Sequence, residues 1–249
     1  MISSVRSARR AFLLASGGTA LGMALIGPAR NGEAAVSSPE QPAQDEEKAK
    51  EVTANEDLMR EHGVLRRALL VYHLTAARLR TNPAAVSPEA LNATAKLFRT
   101  FGEDYHERQL EEPHIFPVVQ QLSPAAARLV NTLLAQHRRG REITDYIAGE
   151  TIGGRIGTGA AEPLAHAMEA MVLMYQEHTA REDTIVFPAW KQALSGKQYD
   201  EMNDTFEDIE HRMFGKDGFE DAVKQVSAVE QTLGIADLAQ FTAPPPPHL

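Results

Sequence analysis

Residues 174–190 read MYQEHTAREDTIVFPAW. His178 and Glu182 lie four apart, so on a helix both side chains leave the same face, one turn apart. Met171, Met174, Tyr175, Ile185 and Val186 continue that stripe at helical spacing. The His–Glu pair is therefore predicted to sit in a buried stripe, where a carboxylate is costly unless it is paired or bound to a cation.

Working outward, three more long amphipathic helices are predicted. The first covers about residues 55–80, with Leu58, Leu65, Leu69, Tyr72 and His62 on one side, and Asn82-Pro83 ends it. Ser87-Pro88-Glu89 opens the second, with Ser as N-cap and Pro at the first position. It runs to about residue 121 and carries Phe98, Phe101, Tyr105 and His106. Ser123-Pro124 repeats the opening signal for the third, which carries Leu133, Leu134, His137, Ile143 and Ile147. A Gly-rich loop over residues 149–159 leads to the fourth, about residues 161–191. The expected class is all-α, an antiparallel four-helix bundle with additional C-terminal helices before and after the breaks at Gly215 and Gly218.

With 249 residues, 43% of them hydrophobic, the chain can build one sizeable core with extensions. A formal net charge of −9 argues against nucleic acid as a partner. There is no cysteine, so any metal must sit among nitrogen and oxygen ligands, which suits iron, manganese or zinc better than soft metals. At the N-terminus, Arg9-Arg10 precede an apolar run over residues 11–26 that is short and Gly-rich for a membrane span. The arrangement resembles a twin-arginine export signal, with Phe12 and Leu13 where bulky apolar residues belong. The domain expectation is a signal over residues 1–35, a linker over 36–54, the bundle over 55–191, and a helical extension with a Pro-rich tail over 192–249. Localisation would be periplasmic or exported, with no membrane attachment once the signal is removed.

A lone histidine on an apolar face is usually a satisfied core residue. Here His62, His106, His137 and His178 supply one per bundle helix, and a shared metal centre would satisfy all four together. Two of these helices add carboxylates, Glu182 after His178 and Glu111 after His106. Both stretches end in a Phe-Pro pair, Phe116-Pro117 and Phe187-Pro188, and both glutamates lie five residues before that phenylalanine. The match points to two pseudo-equivalent halves, and two carboxylates able to bridge suit a two-metal site.

These residues resemble the hemerythrin-like family of non-haem diiron helical bundles. The resemblance rests on residues 178–188, on Tyr105-His106 through Phe116-Pro117, on Glu61-His62, and on Gln136-His137 with the Arg-Arg-Gly that follows. It implies a metal site made of His62, His106, Glu111, His137, His178 and Glu182. It also implies two iron ions with carboxylate and oxo or hydroxo bridges; manganese or zinc stay open. The implied ligand is a small diatomic molecule or peroxide; the redox partner is not legible. The expected function is to bind or react with dioxygen, peroxide or nitric oxide in sensing or protection, with at most a weak peroxidase-type activity. A hydrophobic cover from Leu65, Phe101, Leu133 and Val186 is expected over the site. Two alternatives stand beside it. One is a ferritin-like iron oxidase or store, for which Glu103-Asp104-Tyr105-His106 supplies one of the two Glu-x-x-His copies needed. The other is a metal-free interaction bundle with merely buried histidines.

Two departures from the family pattern carry predictions. His106 and Glu111 are five apart instead of four, which on an ideal helix turns Glu111 about 140° away. Pro113 clashes with the carbonyl of Gln109, so a single wide turn between His106 and Pro113 would bring Glu111 back under His106. Glu107 is then a candidate extra ligand or base. The second departure is Arg141, which stands where the oxygen carriers have a further histidine. His73 is expected to be a core or rim residue and His166 and His211 structural ones, while His114, which follows a proline, is assigned no role. Arg138, Arg139 and Arg141 are expected to form a solvated basic face, and Met168, Met171 and Met174 to serve packing.

Overall fold

The computed structural model describes residues 52–157 and 159–247. The twin-arginine stretch and all but the last residues of the expected linker lie outside them. Six helical rods make up the described chain, and no strand occurs among the described residues. Helix α1 is Ala54–Thr81. Helix α2 is one continuous rod of three pieces, Pro88–Leu97, Phe98–Ile115 and Phe116–Gln120. Helix α3 is Pro124–Glu150. Helix α4 is likewise continuous through Ala161–Arg181, Glu182–Val186 and Phe187–Ala193. Helices α5, Gly196–Phe214, and α6, Gly218–Leu233, follow.

The ends are set by local chemistry. Thr53 and Glu56 form a capping box at the start of α1. Ser87 and Ser123 accept the backbone N–H of Ala90 and Ala126, each with proline at the first helical position, as the sequence predicts. Gly215 and Gly234 end α5 and α6 in left-handed backbone, where a side chain would be strained.

Short connections force α1 to α4 into antiparallel neighbours. Helix α1 packs along α4, and α3 packs against both α2 and α4. Their shared core holds Tyr72, Phe98, Phe101, Tyr105, Phe116, Tyr175, Phe187 and Trp190, all essentially removed from water. Each such side chain stabilises the fold by about 1.5–3 kcal/mol relative to exposure. Helices α5 and α6 lie over α1 and α2. Phe206 stacks on Trp190, with centroids 5.7 Å apart and planes 4° from parallel, and Phe214 meets Tyr105 edge-on at 5.2 Å.

Two stripe assignments need correction. Ile185 is half exposed, not buried, because the backbone widens at Glu182–Val186 and turns it outward. His73 is exposed on α1 and takes no part in the core or its rim.

Candidate metal centre

The wide turn predicted in α2 is present, and it is longer than Pro113 alone requires. From Phe98 to Ile115 the backbone is π-helical, and it closes with the N–H of Phe116 donating to the carbonyl of Glu111, five residues back. A second, unpredicted wide segment covers Glu182–Val186, and there the N–H of Phe187 donates to the carbonyl of Glu182. In each case a proline follows immediately, and its ring disfavours the tighter turn before it. The Phe-Pro pairs thus mark two places where a ligand-bearing turn is opened.

The six side chains come together in the middle of the bundle. Nε2 of His106 lies 3.0 Å from Nε2 of His62, and Nε2 of His137 lies 3.1 Å from Nε2 of His178. Each carboxylate then reaches both pairs. Glu111 places Oε1 3.2 Å from His106 and Oε2 3.4 Å from His137. Glu182 places Oε1 3.0 Å from His178 and Oε2 3.6 Å from His62. All six residues are buried. Leu65, Phe101, Leu133 and Val186 are all buried in the bundle core.

Outside this ring the histidines are held by their other nitrogens. Nδ1 of His62 pairs with Asp183 at 2.7 Å, of His106 with Glu61 at 2.6 Å, of His137 with Glu112 at 3.0 Å and of His178 with Gln136 at 2.9 Å. Since Gln136 meets His178 through Oε1, and carboxylates only accept, Nδ1 carries the proton in each ring. Every Nε2 lone pair is left facing inward, the tautomer a metal needs. Phe116 stacks on His137 at 5.3 Å and Phe187 on His62 at 5.4 Å, fixing the two ring planes.

The donor set fits a pair of hard or borderline cations. Both oxygens of buried Glu182 and Oε1 of Glu111 have no hydrogen-bond donor. Leaving a carboxylate so far from water without one costs several kcal/mol, which a cation offsets. Donor–donor distances near 3 Å are those expected around an ion with bonds of about 2.0–2.1 Å.

Electrostatics of the metal-free site agree. Burial and the neighbouring His137 hold His178 down to about 3, and burial lowers His62 despite Asp183. Against the same burial, Glu111 and Glu61 hold His106 well above the usual range, and Glu107, Glu111 and Glu112 raise His137 to about 10. Burial and the charge of Glu111 push Glu182 well up, whereas His106 draws Glu111 well down in spite of burial.

Three neighbours stand outside the ring. Glu107 is not in the ring: Oε1 accepts from Tyr175 at 2.7 Å and Oε2 from Arg141 at 2.9 Å. Arg141 is not on a solvated face but largely buried, bridging Glu107 and Glu112. Glu103 accepts from Thr144 at 2.5 Å and pairs with Arg99 at 2.7 Å, away from the ring. The signals for the outer partners were present, since Glu61 and Gln136 directly precede His62 and His137, while Glu112 and Asp183 directly follow Glu111 and Glu182.

A four-helix bundle that brings four imidazoles and two shared carboxylates to one buried point defines a candidate two-cation binding protein. Residues 53–190, more than half of the chain, match the hemerythrin HHE cation binding domain, and the protein belongs to that family. It is also 45% identical over 192 residues to uncharacterized protein Rv1995 of Mycobacterium tuberculosis (strain H37Rv) and equally to uncharacterized protein Mb2018 of Mycobacterium bovis. Each match covers 77% of this chain and 74% of the relative. No solved structure matches the chain.

Proposed function

We propose that the protein is an exported non-haem diiron protein whose centre binds or reacts with a small oxidant: dioxygen, peroxide or nitric oxide. The observation that carries this reading is the sharing of Glu111 and Glu182 between the two histidine pairs. A single ion would use one oxygen of each carboxylate; here all four oxygens face imidazole nitrogens, as two ions side by side require.

His62 and His106 would hold one iron, His137 and His178 the other, and Glu111 and Glu182 would bridge them. The ions supply one-electron redox chemistry and open positions for a small ligand. The protein's part is to orient and to exclude water. Asp183, Glu61, Glu112 and Gln136 fix the four rings, and the stacked Phe116 and Phe187 stop two of them, His137 and His62, from turning. Four histidines and two glutamates are one ligand fewer than in the oxygen carriers, because Arg141 is committed to Glu107 and Glu112. That favours reaction or sensing over simple reversible carriage. Export rests on the Arg9-Arg10 signal, and the twin-arginine route carries folded cargo, which suits a protein that loads its metal beforehand.

The test is metal analysis of the mature protein purified without air, followed by its absorbance spectrum before and after air, peroxide or nitric oxide. The expected result is two irons per chain and near-ultraviolet bands that change with the oxidant. A metal content near zero after anaerobic reconstitution overturns the reading. Glu182→Ala should lower occupancy sharply while helicity is kept.

A further inference from the structure

The centre is built on an approximate two-fold repeat, and the repeat can be followed beyond the ligands. Helix α1 corresponds to α3 and α2 to α4. His62 and His137 each stack under the phenylalanine of a Phe-Pro pair, Phe187 and Phe116. Each gives its Nδ1 proton to the acid following a bridging glutamate, Asp183 or Glu112. Each of those acids is in turn held by an arginine four residues after the histidine, Arg66 or Arg141. The other two ligands, His106 and His178, give Nδ1 to the residue that precedes the partner histidine.

There the repeat breaks. For His106 that residue is Glu61, at 2.6 Å; for His178 it is Gln136, at 2.9 Å. Glu61 is buried, and its other oxygen accepts from Tyr105 at 3.0 Å, so no cation offsets its charge in that contact. Gln136 is a neutral amide and only half buried. A carboxylate accepting from Nδ1–H draws the proton toward itself and makes the far nitrogen a stronger donor to metal; an amide does so much less. Phe214 of α5 meets Tyr105 edge-on on the Glu61–His106 side. The acid–arginine pairs beside the other two histidines do not separate the halves: Asp183 and Arg66 keep 10% and 45% of their side-chain surface, Glu112 and Arg141 27% and 13%. Glu107 is an additional anion on the His137 side, but it stands 3.8 Å from that ring nitrogen, and Tyr175 and Arg141 occupy both its oxygens.

We infer that the two halves of the centre are unequal: the His62–His106 half loads first and holds its ion more tightly. The His137–His178 half is the exchangeable one, and Glu61 against Gln136 sets the difference. This rests on the two-cation reading above. Glu61 and Gln136 are positioning residues that act through the imidazoles they hold.

The experiment is anaerobic titration of the metal-free protein with ferrous iron against a chromophoric chelator. The wild type should bind two equivalents in separate steps, at least about tenfold apart, the size of effect usual for outer partners of a ligating histidine. Gln136→Glu should tighten the weaker step by about tenfold, a gain that misfolding cannot produce. Glu61→Gln should weaken the tighter step by a similar factor, and His106→Ala should abolish that step while leaving the other. His178→Ala should do the reverse; circular dichroism checks that each variant is folded. Two equivalents of equal affinity, or Gln136→Glu leaving the weaker step unmoved, overturn the inference while the two-cation reading stands. No bound iron in the wild type overturns both.

Discussion

Nε2 of His106 stands 3.2 Å from Oε1 of Glu111, although five residues of helix separate them. A regular α-helix would point the two about 140° apart. The wide backbone of Phe98–Ile115 makes the contact, and Pro113 and Pro117 supply no N–H that could close a tighter turn. Replacing both prolines with alanine restores two donors and favours the regular helix, which swings Glu111 out of the ring. On the two-iron reading proposed above, the expected outcome is iron content falling from two per chain to one or fewer, with far-ultraviolet circular dichroism unchanged. Two irons retained would mean that packing against α3 alone holds the turn open.

Gly140 sits in the interior of α3, where alanine normally gains up to about 1 kcal/mol over glycine. Here the sign reverses. A Cβ at Gly140 would lie 2.0 Å from the Tyr175 hydroxyl oxygen and 2.8 Å from its ring carbon. Tyr175 is fully buried and held by Glu107, so it has nowhere to go. Gly140→Ala is expected to destabilise by about 1–3 kcal/mol, the usual range for overpacking. Chemical denaturation measures it, and a stabilised variant would show that Tyr175 can leave Glu107 at little cost.

Much of this could be read in the sequence, and the part that could not has a physical reason. Helical period, Ser-Pro openings and glycine breaks are local signals, and they placed α1 to α4 within a residue or two of where they lie. The convergence of His62, His106, His137, His178 and Glu182 was legible because stripe positions point at one axis, whereas Glu111 joins them only through the wide turn that Pro113 signals. What faces a stripe from the side was not legible. Arg141 follows two exposed arginines and by composition belongs with them; only the position of Glu107 and Glu112 on α2 draws it inward. Ile185 fits the stripe at 3.6 residues per turn and leaves it when the turn widens. The Phe-Pro pairs revealed the repeat, but not that each ring stacks on an imidazole of a neighbouring helix.

Phe206 ties the C-terminal helices to the bundle. Its ring lies flat on Trp190, whose indole N–H donates to the carbonyl of His114 at 3.2 Å. Phe206→Ala removes the stacked face and leaves a cavity beside α2 and α4, which is expected to cost about 3–5 kcal/mol. Because α5 also carries Phe214 over Tyr105, the variant should loosen the cover of the Glu61–His106 side. Hydrogen exchange at the amides of α5 should quicken more than at α3. Equal protection in both helices would count against α5 as a separately anchored cover.

Glu103 gives the fold a pH dependence of its own. Burial is the main cause that lifts its carboxyl from 4.5 to about 7, with Glu107 adding to it and Thr144 and Arg99 opposing. The folded state therefore holds this proton more firmly than the unfolded chain does. Between about pH 4.5 and 7 the native state binds more protons than the unfolded state, so stability falls as pH rises through that window. The loss is complete above pH 7 and amounts to about 3 kcal/mol at 1.36 kcal/mol per pH unit. Glu103→Gln fixes the neutral form and keeps an acceptor for Thr144. In metal-free protein, melts from pH 4 to 8 should therefore show the variant gaining on the wild type as pH rises. At pH 8 the gain should approach that figure, less what the Arg99 pair contributed. Titrating groups far from Glu103 are common to both proteins and cancel in the difference; Glu107, which interacts with it, adds a smaller contribution of its own. A difference that stays flat across the window would mean that Glu103 is already ionised in the fold, with Arg99 compensating its charge.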